Sequence, residues 1–273
     1  MGALGAFNAY EPEYDRLTPN ANRAAADYRA RAEARGGQVK FAYMSVDFAN
    51  PTGETMDLRA RQNMLALAEA LDIAIVEDAA YQALRYDGAA VPPILALEVA
   101  QKGSIEAART LYCGSFSKTL APGLRVGWVC AAKPVIAKLV LLKQASDLHS
   151  PTLNQMAIAD VAEKQFDTHT ASIRAAYMSR RDAMLAALAA HMPVEWTRPE
   201  GGMFVWLTLP VGLDGADLLA LSLKTQRVAF VPGAAFFADG SGRNTIRLSF
   251  SRTDEATITE GIKRLGQVLK AAV

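Results

Sequence analysis

The sequence predicts an α/β fold with a mostly parallel sheet and flanking helices, followed by a smaller C-terminal α+β domain. In the first part of the chain, short apolar runs typical of buried strands alternate with segments that have helical spacing of apolar residues. After about residue 160 helices are followed by clustered strands, which indicates the second domain. We therefore expect a large domain over residues 1–160 and a small domain over residues 161–273.

The individual elements follow from the same patterns. Ile73–Val76 is a short continuous apolar run, which suits a strand that is buried on both faces. Asp57–Leu71 has apolar residues along one helical face, and Leu153–Leu188 is expected to form two helices. Two more strands, Thr110–Cys113 and Val126–Cys130, are also expected to be buried. The other expected strands are Val39–Phe48, Phe204–Leu209, Val228–Val231 and Thr245–Phe250. The other expected helices are Asn22–Arg35, Pro134–Ala145 and Asp254–Lys270, the last capped by Thr253.

Composition and charge exclude several classes of function. The net charge is +1 and no basic block stands out, so we expect no nucleic-acid or anionic-membrane partner. The apolar runs are too short to span a bilayer. Cys113 and Cys130 are too few for a secreted disulfide framework, which favours the cytoplasm. The three histidines are scattered without metal-ligand spacing, and we predict no metal site.

A loop that follows a predicted strand combines small hydroxyl residues with a lysine. It reads Gly114-Ser115-Phe116-Ser117-Lys118, and Arg125 follows seven residues after the lysine. A lysine amine can condense with the aldehyde of a cofactor. Serine hydroxyls and an arginine can hold a phosphate by charge-assisted hydrogen bonds. Taken alone, such a loop is more often a solvated surface segment.

Two further positions suit the same chemistry. Asp78 directly follows the buried run, and Tyr81 can turn towards the same place. A carboxylate there would keep a pyridine ring protonated, although an aspartate at this position commonly caps a turn. Asn50 could donate to a ring oxygen or form a plain turn with Pro51-Thr52-Gly53. Arg247 lies in a predicted strand among apolar residues, where it would bind a substrate carboxylate or form a structural ion pair.

Together, in this order, these residues and motifs resemble the series of active-site motifs in fold-type I pyridoxal-phosphate (PLP) enzymes of the class I/II aminotransferase family. The resemblance covers nearly the whole chain. It is nearest to the branch that contains 2-aminoadipate aminotransferases and the aminotransferase-like domains of MocR-type regulators. The segments that carry this finer resemblance are Tyr112–Trp128, Lys143–Gln155 and Pro199–Phe204.

The resemblance implies a PLP-transferase-like fold and a role for each of these residues. Lys118 would bind the cofactor covalently and later act as the base that moves the substrate proton. Asp78 would pair with the pyridine nitrogen. Asn50 and Tyr81 would donate hydrogen bonds to the ring oxygen.

The remaining residues would bind the phosphate of the cofactor and the substrate. Ser115, Ser117 and Arg125 would bind the phosphate. Arg247 would bind the α-carboxylate of the amino acid, with Asn50 as a second substrate-binding residue. The reaction implied is amino-group transfer between an α-amino acid and a 2-oxo acid, performed by a homodimer. The same residues would also serve a PLP-dependent lyase or decarboxylase, a non-catalytic remnant or the effector domain of a MocR-type regulator.

The beginning of the chain also bears on the resemblance. Met1–Tyr14 resembles the stretch that, in the family, follows a glycine-containing phosphate turn and the aromatic residue stacked on the cofactor ring. The resemblance therefore implies a chain that starts within the large domain. We expect PLP binding and turnover to be weakened as a result.

Overall fold

The structure is a computed structural model that describes residues 2–17 and 23–272, with side chains described from residue 5. It contains two compact units. The α/β unit comprises Asp15–Asp47 and Thr55–Ile173, and the α+β unit comprises Met1–Tyr14, Phe48–Glu54 and Arg174–Val273. The domain boundary expected after residue 160 stays a prediction. Asn22, where one predicted helix begins, lies outside the described residues.

The helices mostly follow the expected segments, with bounds shifted by a few residues. In chain order they are α1 (Gly2–Asn8), α2 (Ala25–Glu33), α3 (Leu58–Leu71), α4 (Ile94–Lys102), α5 (Lys133–Ser146), α6 (Thr152–His191), α7 (Gly215–Thr225) and α8 (Glu255–Ala272). The sequence reasoning missed α1, α4 and α7.

The α/β unit contains a four-stranded sheet with the spatial order of the sequence. Its strands are β1 (Phe41–Met44), β2 (Ala74–Asp78), β3 (Thr110–Ser115) and β4 (Gly127–Cys130). β1, β2 and β3 are parallel, and β4 is antiparallel to β3. The prediction of an α/β fold with a mostly parallel sheet is therefore confirmed.

The core of this unit lies where α3 packs on the sheet. Asp57 caps α3 by accepting the N–H of Ala60 at 2.7 Å, and the apolar face of the helix then follows at helical spacing. Met64 and Ile75 are each 1% exposed in this cluster. This packing fixes β2, whose last residue is Asp78.

The α+β unit contains an antiparallel sheet. Its strands are β5 (Glu195–Trp196), β6 (Phe204–Thr208), β7 (Val231–Pro232) and β8 (Thr245–Ser249), in the spatial order β5-β6-β8-β7. α8 contributes Ile258, Ile262 and Leu265 to the buried apolar set of the chain. The expected helix-then-strand character of this part is confirmed.

Three further differences from the expectations have a local physical reason, while the strand expected at residues 228–231 is reduced to Val231–Pro232. α6 is a single helix of 40 residues rather than two, because no glycine or proline interrupts the sequence between its ends. β4 is largely exposed rather than buried, and in the described part of the chain it forms the edge of the sheet beside β3. Asp254 rather than Thr253 caps α8, because its carboxylate accepts the N–H of Thr257 at 2.8 Å.

Candidate active site

The candidate site of the α/β unit lies at the carboxyl ends of β2 and β3. Asp78 is opposite Cys113 in the parallel register, so these strand ends are adjacent. Asp78 ends β2, and Ser115 ends β3 two positions beyond Cys113. Carboxyl ends of parallel strands are the usual place for a ligand in an α/β sheet.

Lys118 and Tyr81 meet at this edge. Tyr81 begins the turn after β2 and is 8% exposed, while Lys118 is half-buried in the turn after β3. The Lys118 ammonium nitrogen lies 5.9 Å from the centroid of the Tyr81 ring. This distance permits a cation–π attraction between the amine and the Tyr81 ring.

The loop that carries Lys118 is closed by its own hydrogen bonds. The Ser115 hydroxyl accepts the N–H of Ser117 at 3.1 Å, and the N–H of Phe116 donates to the Val126 carbonyl at 3.2 Å. The two serines and Lys118 therefore share one compact turn. This turn places hydroxyl groups beside the lysine.

Arg125 lies at the far end of the same loop. Its backbone is left-handed, with φ of 54°, and its guanidinium is exposed and donates to the Pro122 carbonyl at 3.3 Å. The Asn154 amide of α6 donates to the carbonyl of Leu124 at 2.9 Å. Because Leu124 directly precedes Arg125, this contact anchors the backbone that presents the guanidinium.

Two groups orient the carboxylate of Asp78. The phenol of Tyr43, on β1, donates to Oδ2, and the N–H of Ala80 donates to Oδ1 at 3.2 Å. Burial, together with the neighbouring Asp78 carboxylate, raises the pKa of Tyr43 well above its ordinary value, so the phenol remains a donor at neutral pH. Sequence reasoning missed Tyr43, because its contact with Asp78 depends on the register of β1 against β2.

In the α+β unit the structure brings Asn50 and Arg247 together. Nη1 of Arg247 donates to the side-chain oxygen of Asn50 at 2.6 Å. The Arg247 guanidinium carbon lies 4.1 Å from the ring centroid of Phe204 and 4.9 Å from that of Phe236. Two aromatic faces therefore hold the guanidinium. Sequence reasoning singled out neither ring, although Phe204 ends the Pro199–Phe204 motif.

The turn that carries Asn50 requires a glycine. Gly53 has φ of +72°, and a Cβ added to it would stand 2.6 Å from the Phe204 carbonyl oxygen. Its N–H donates to the Ala49 carbonyl at 2.6 Å. Only glycine combines this backbone conformation with such a close approach. The Asn50-Pro51-Thr52-Gly53 motif is thus explained locally by the geometry that holds Asn50.

The eight residues singled out from the sequence therefore fall into two groups. Asn50 and Arg247 are hydrogen-bonded to each other within the α+β unit. The other six belong to the α/β unit, on the two strand ends and the loop described above: Asp78, Tyr81, Ser115, Ser117, Lys118 and Arg125.

Comparison with known proteins identifies the family. The model of the class I and II aminotransferases matches residues 33–265. The chain belongs to this family. It is 42% identical to aromatic-amino-acid aminotransferase 1 of Thermococcus litoralis and 41% identical to 2-aminoadipate transaminase of Thermus thermophilus, in each case over 99% of its own length. It spans 64% of the length of the first relative and 67% of the second.

A solved structure supports the same family. Kynurenine aminotransferase of Pyrococcus horikoshii, in complex with pyridoxamine phosphate (PMP), superposes with a TM-score of 0.91. The identity is 40%, over 99% of this chain and 67% of that one. The PLP-transferase-like fold predicted from the motifs is therefore confirmed for this chain.

Two further features of the described residues concern membranes and metal ions. No helix within residues 2–17 and 23–272 is long and apolar enough to cross a membrane. In that same part of the chain, no three histidine, cysteine or acidic side chains are grouped as metal ligands would be.

Proposed function

We propose that this chain is a PLP-dependent aminotransferase that moves an amino group between an α-amino acid and a 2-oxo acid. The observation that carries the proposal is the common edge of β2 and β3, where Lys118, Asp78 and Tyr81 meet. The names of the relatives support the reaction, since both act as aminotransferases.

The donor set fits the cofactor. Lys118 offers an amine for its aldehyde, Asp78 a carboxylate for its ring nitrogen, and the serine-rich loop offers hydroxyls for its phosphate. When bound, PLP supplies an aldehyde that condenses with amines and a ring that withdraws electrons from the substrate Cα. The orientation of Asp78 by two donors supports the fit, because its carboxylate is already fixed at the strand end.

Each residue has a distinct task in this proposal. The Lys118 amine would act as the general base that takes the proton from the substrate Cα and holds it for the transfer. Asp78 keeps a proton on the ring nitrogen, because an opposite charge nearby favours the charged form. The Tyr81 hydroxyl donates a hydrogen bond to the ring oxygen.

Ser115, Ser117 and Arg125 bind the phosphate in this proposal. Ser115 and Ser117 share the turn that carries Lys118, and the exposed guanidinium of Arg125 can form two parallel hydrogen bonds with an anion. The anchoring of Leu124 by Asn154 supports a fixed position for this guanidinium.

Arg247 binds the α-carboxylate of the amino acid. Its guanidinium is held between Phe204 and Phe236, which limits its rotation and favours bidentate recognition of a carboxylate. Arg247 also donates to the side-chain oxygen of Asn50, which leaves the side-chain amide nitrogen of Asn50 as the group that would donate to the cofactor's ring oxygen.

We also propose that the enzyme is a homodimer located in the cytoplasm. Large apolar side chains are exposed along α5, the following turn and the beginning of α6, and such a patch marks an interaction surface. We call this set the α5–α6 patch: Val140, Leu141, Leu142, Leu148, Leu153 and Met156, which are 48% to 80% exposed. Cys113 and Cys130 are free thiols, which supports a reducing compartment.

An amino-transfer assay tests the function. The chain is supplied with PLP, 2-oxoglutarate and a panel of 2-aminoadipate, aromatic and branched-chain amino acids, and glutamate and the new 2-oxo acid are quantified. We expect equimolar formation of both products from at least one donor. Arg247→Gln should raise KM for that donor about 100-fold by removing a charged, bidentate contact. Arg252→Gln, an exposed arginine after β8, is the matched control.

Other products would contradict the proposal. Elimination or decarboxylation products would identify a PLP-dependent lyase or decarboxylase. Cofactor binding without amino transfer would favour the effector domain of a MocR-type regulator or a non-catalytic remnant.

A further inference from the structure

Tyr43 on β1 and Asp78 on the neighbouring strand β2 are joined by a side-chain hydrogen bond. Tyr43 is opposite Val76 in the parallel register of β1 and β2, so its side chain reaches diagonally to Asp78, two residues further along β2. Such diagonal neighbours lie within reach of aromatic side chains. The phenol donates to Oδ2 of Asp78, and the N–H of Ala80 donates to Oδ1.

These two donors act on different oxygens of one carboxylate. Rotation of the carboxylate would break at least one of the two hydrogen bonds. Hydrogen bonds to charged groups are stronger than those between neutral groups, so the orientation is well defined. A carboxylate oriented in advance can accept a ring N–H without reorganisation, and such preorganisation strengthens binding.

We propose that Tyr43 is a positioning residue that sets the orientation of Asp78 towards the ring nitrogen of PLP. The inference rests on the proposed function and deepens it, because it assigns to β1 a residue that acts on the cofactor through Asp78. Tyr43 itself touches neither the substrate nor the reacting atoms. Its removal therefore affects cofactor affinity and the chemical step rather than the binding of the amino acid.

The neighbouring strand β3 supplies a matched control. The phenol of Tyr112 donates to the side-chain oxygen of Gln82, and its ring lies 5.1 Å from the ring of Trp128. Tyr112→Phe removes the same hydroxyl group from the same sheet without removing a hydrogen bond to Asp78. Tyr43 is 36% exposed, so Tyr43→Phe leaves no cavity and does not leave a deeply buried polar group without a hydrogen-bond partner.

The experiment compares the full chain with Tyr43→Phe and Tyr112→Phe. PLP affinity is measured by equilibrium dialysis, kcat and KM by the amino-transfer assay, and thermal melting by circular dichroism. We expect Tyr43→Phe to bind PLP about tenfold more weakly, as expected for a lost hydrogen bond to a charged group, and to lower kcat with KM unchanged. Tyr112→Phe should stay within about twofold of the wild type in PLP affinity.

A double-mutant cycle separates positioning from general damage. In an Asp78→Asn background, Tyr43→Phe should weaken PLP binding much less than it does in the wild type, because the carboxylate that it orients is gone. Equal effects in the two backgrounds would overturn the inference. So would a Tyr43→Phe chain that binds PLP as the Tyr112→Phe chain does. A wild-type chain that binds no PLP would overturn the proposed function, and the inference with it.

Discussion

At the scale of one residue, Arg61 connects the segment that follows β1 to other loops of the α/β unit by hydrogen bonds. Its side chain is fully buried and donates to the carboxylate of Asp47 at 2.7 Å and to the carbonyl of Met56 at 3.0 Å. It also donates to the carbonyls of Val91 and Pro92, just before α4. Arg61 thus joins segments that are distant in the sequence around the sheet edge.

Replacement of Arg61 tests this role. Arg61→Met should lower the free energy of unfolding by about 3–5 kcal/mol, because it leaves the carboxylate of Asp47 buried without its main partner. Arg59→Met, an exposed position on the same helix, should change it by less than about 0.5 kcal/mol. Urea unfolding followed by circular dichroism measures both variants. Equal effects of the two substitutions would show that the buried network contributes little.

At the scale of elements, the turn that contains Asn50 requires glycine at position 53, and this requirement can be tested. Gly53→Ala adds a Cβ against the Phe204 carbonyl oxygen at a left-handed position, whereas Gly103→Ala adds one at φ of +74° with open space around it. Gly103→Ala should cost about 1–2 kcal/mol of stability for the backbone conformation alone.

Gly53→Ala should cost about 1–3 kcal/mol more, because of the clash. It should also raise KM for the amino acid, since the displaced turn carries the Asn50 that bonds Arg247. The measurements are urea unfolding and the amino-transfer assay. A KM for Gly53→Ala equal to that of Gly103→Ala would show that this turn does not position Arg247.

The same scale shows what the sequence could predict. The strands at residues 73–76 and 110–113 and the helix at residues 57–71 have strong local patterns, and their order places Asp78 and Lys118 at one edge. α4 has a local signal for its end, in Lys102 and the left-handed Gly103, but no side-chain cap at its start. Pro93 precedes it without a side-chain cap, and its first N–H groups donate instead to Glu77, 17 residues earlier. The start of helix α4 therefore depends on a tertiary contact that no local pattern reveals.

The sites show the same division. Lys118 and Asp78 were singled out because each lies in a motif. Tyr43 and Phe236 were missed because their contacts with Asp78 and Arg247 arise from pairing between separate segments. α7 had a readable cap, since Asp214 accepts the N–H of Ala216 at 2.7 Å, and attention to that residue could have predicted the helix.

At the scale of the whole molecule, the α5–α6 patch predicts self-association. Leu141 and Leu142 are 58% and 64% exposed. The double substitution Leu141→Glu with Leu142→Glu should weaken dimerisation at least about 100-fold, because it replaces two apolar side chains with charges. Leu223→Glu, on the exposed face of α7, is the matched control. Sedimentation velocity over a concentration series measures the change, and a wild-type chain that stays monomeric would contradict the proposed dimer.

The central claim, that Lys118 holds the cofactor, is tested most directly by trapping. The chain is incubated with PLP, reduced with borohydride and digested, and the modified peptide is identified by mass spectrometry. We predict that the phosphopyridoxyl group is found on Lys118, that Lys118→Ala loses it, and that Lys224→Ala, an exposed control on α7, retains it. Modification spread over several lysines, and equal in the wild type and Lys118→Ala, would contradict the claim.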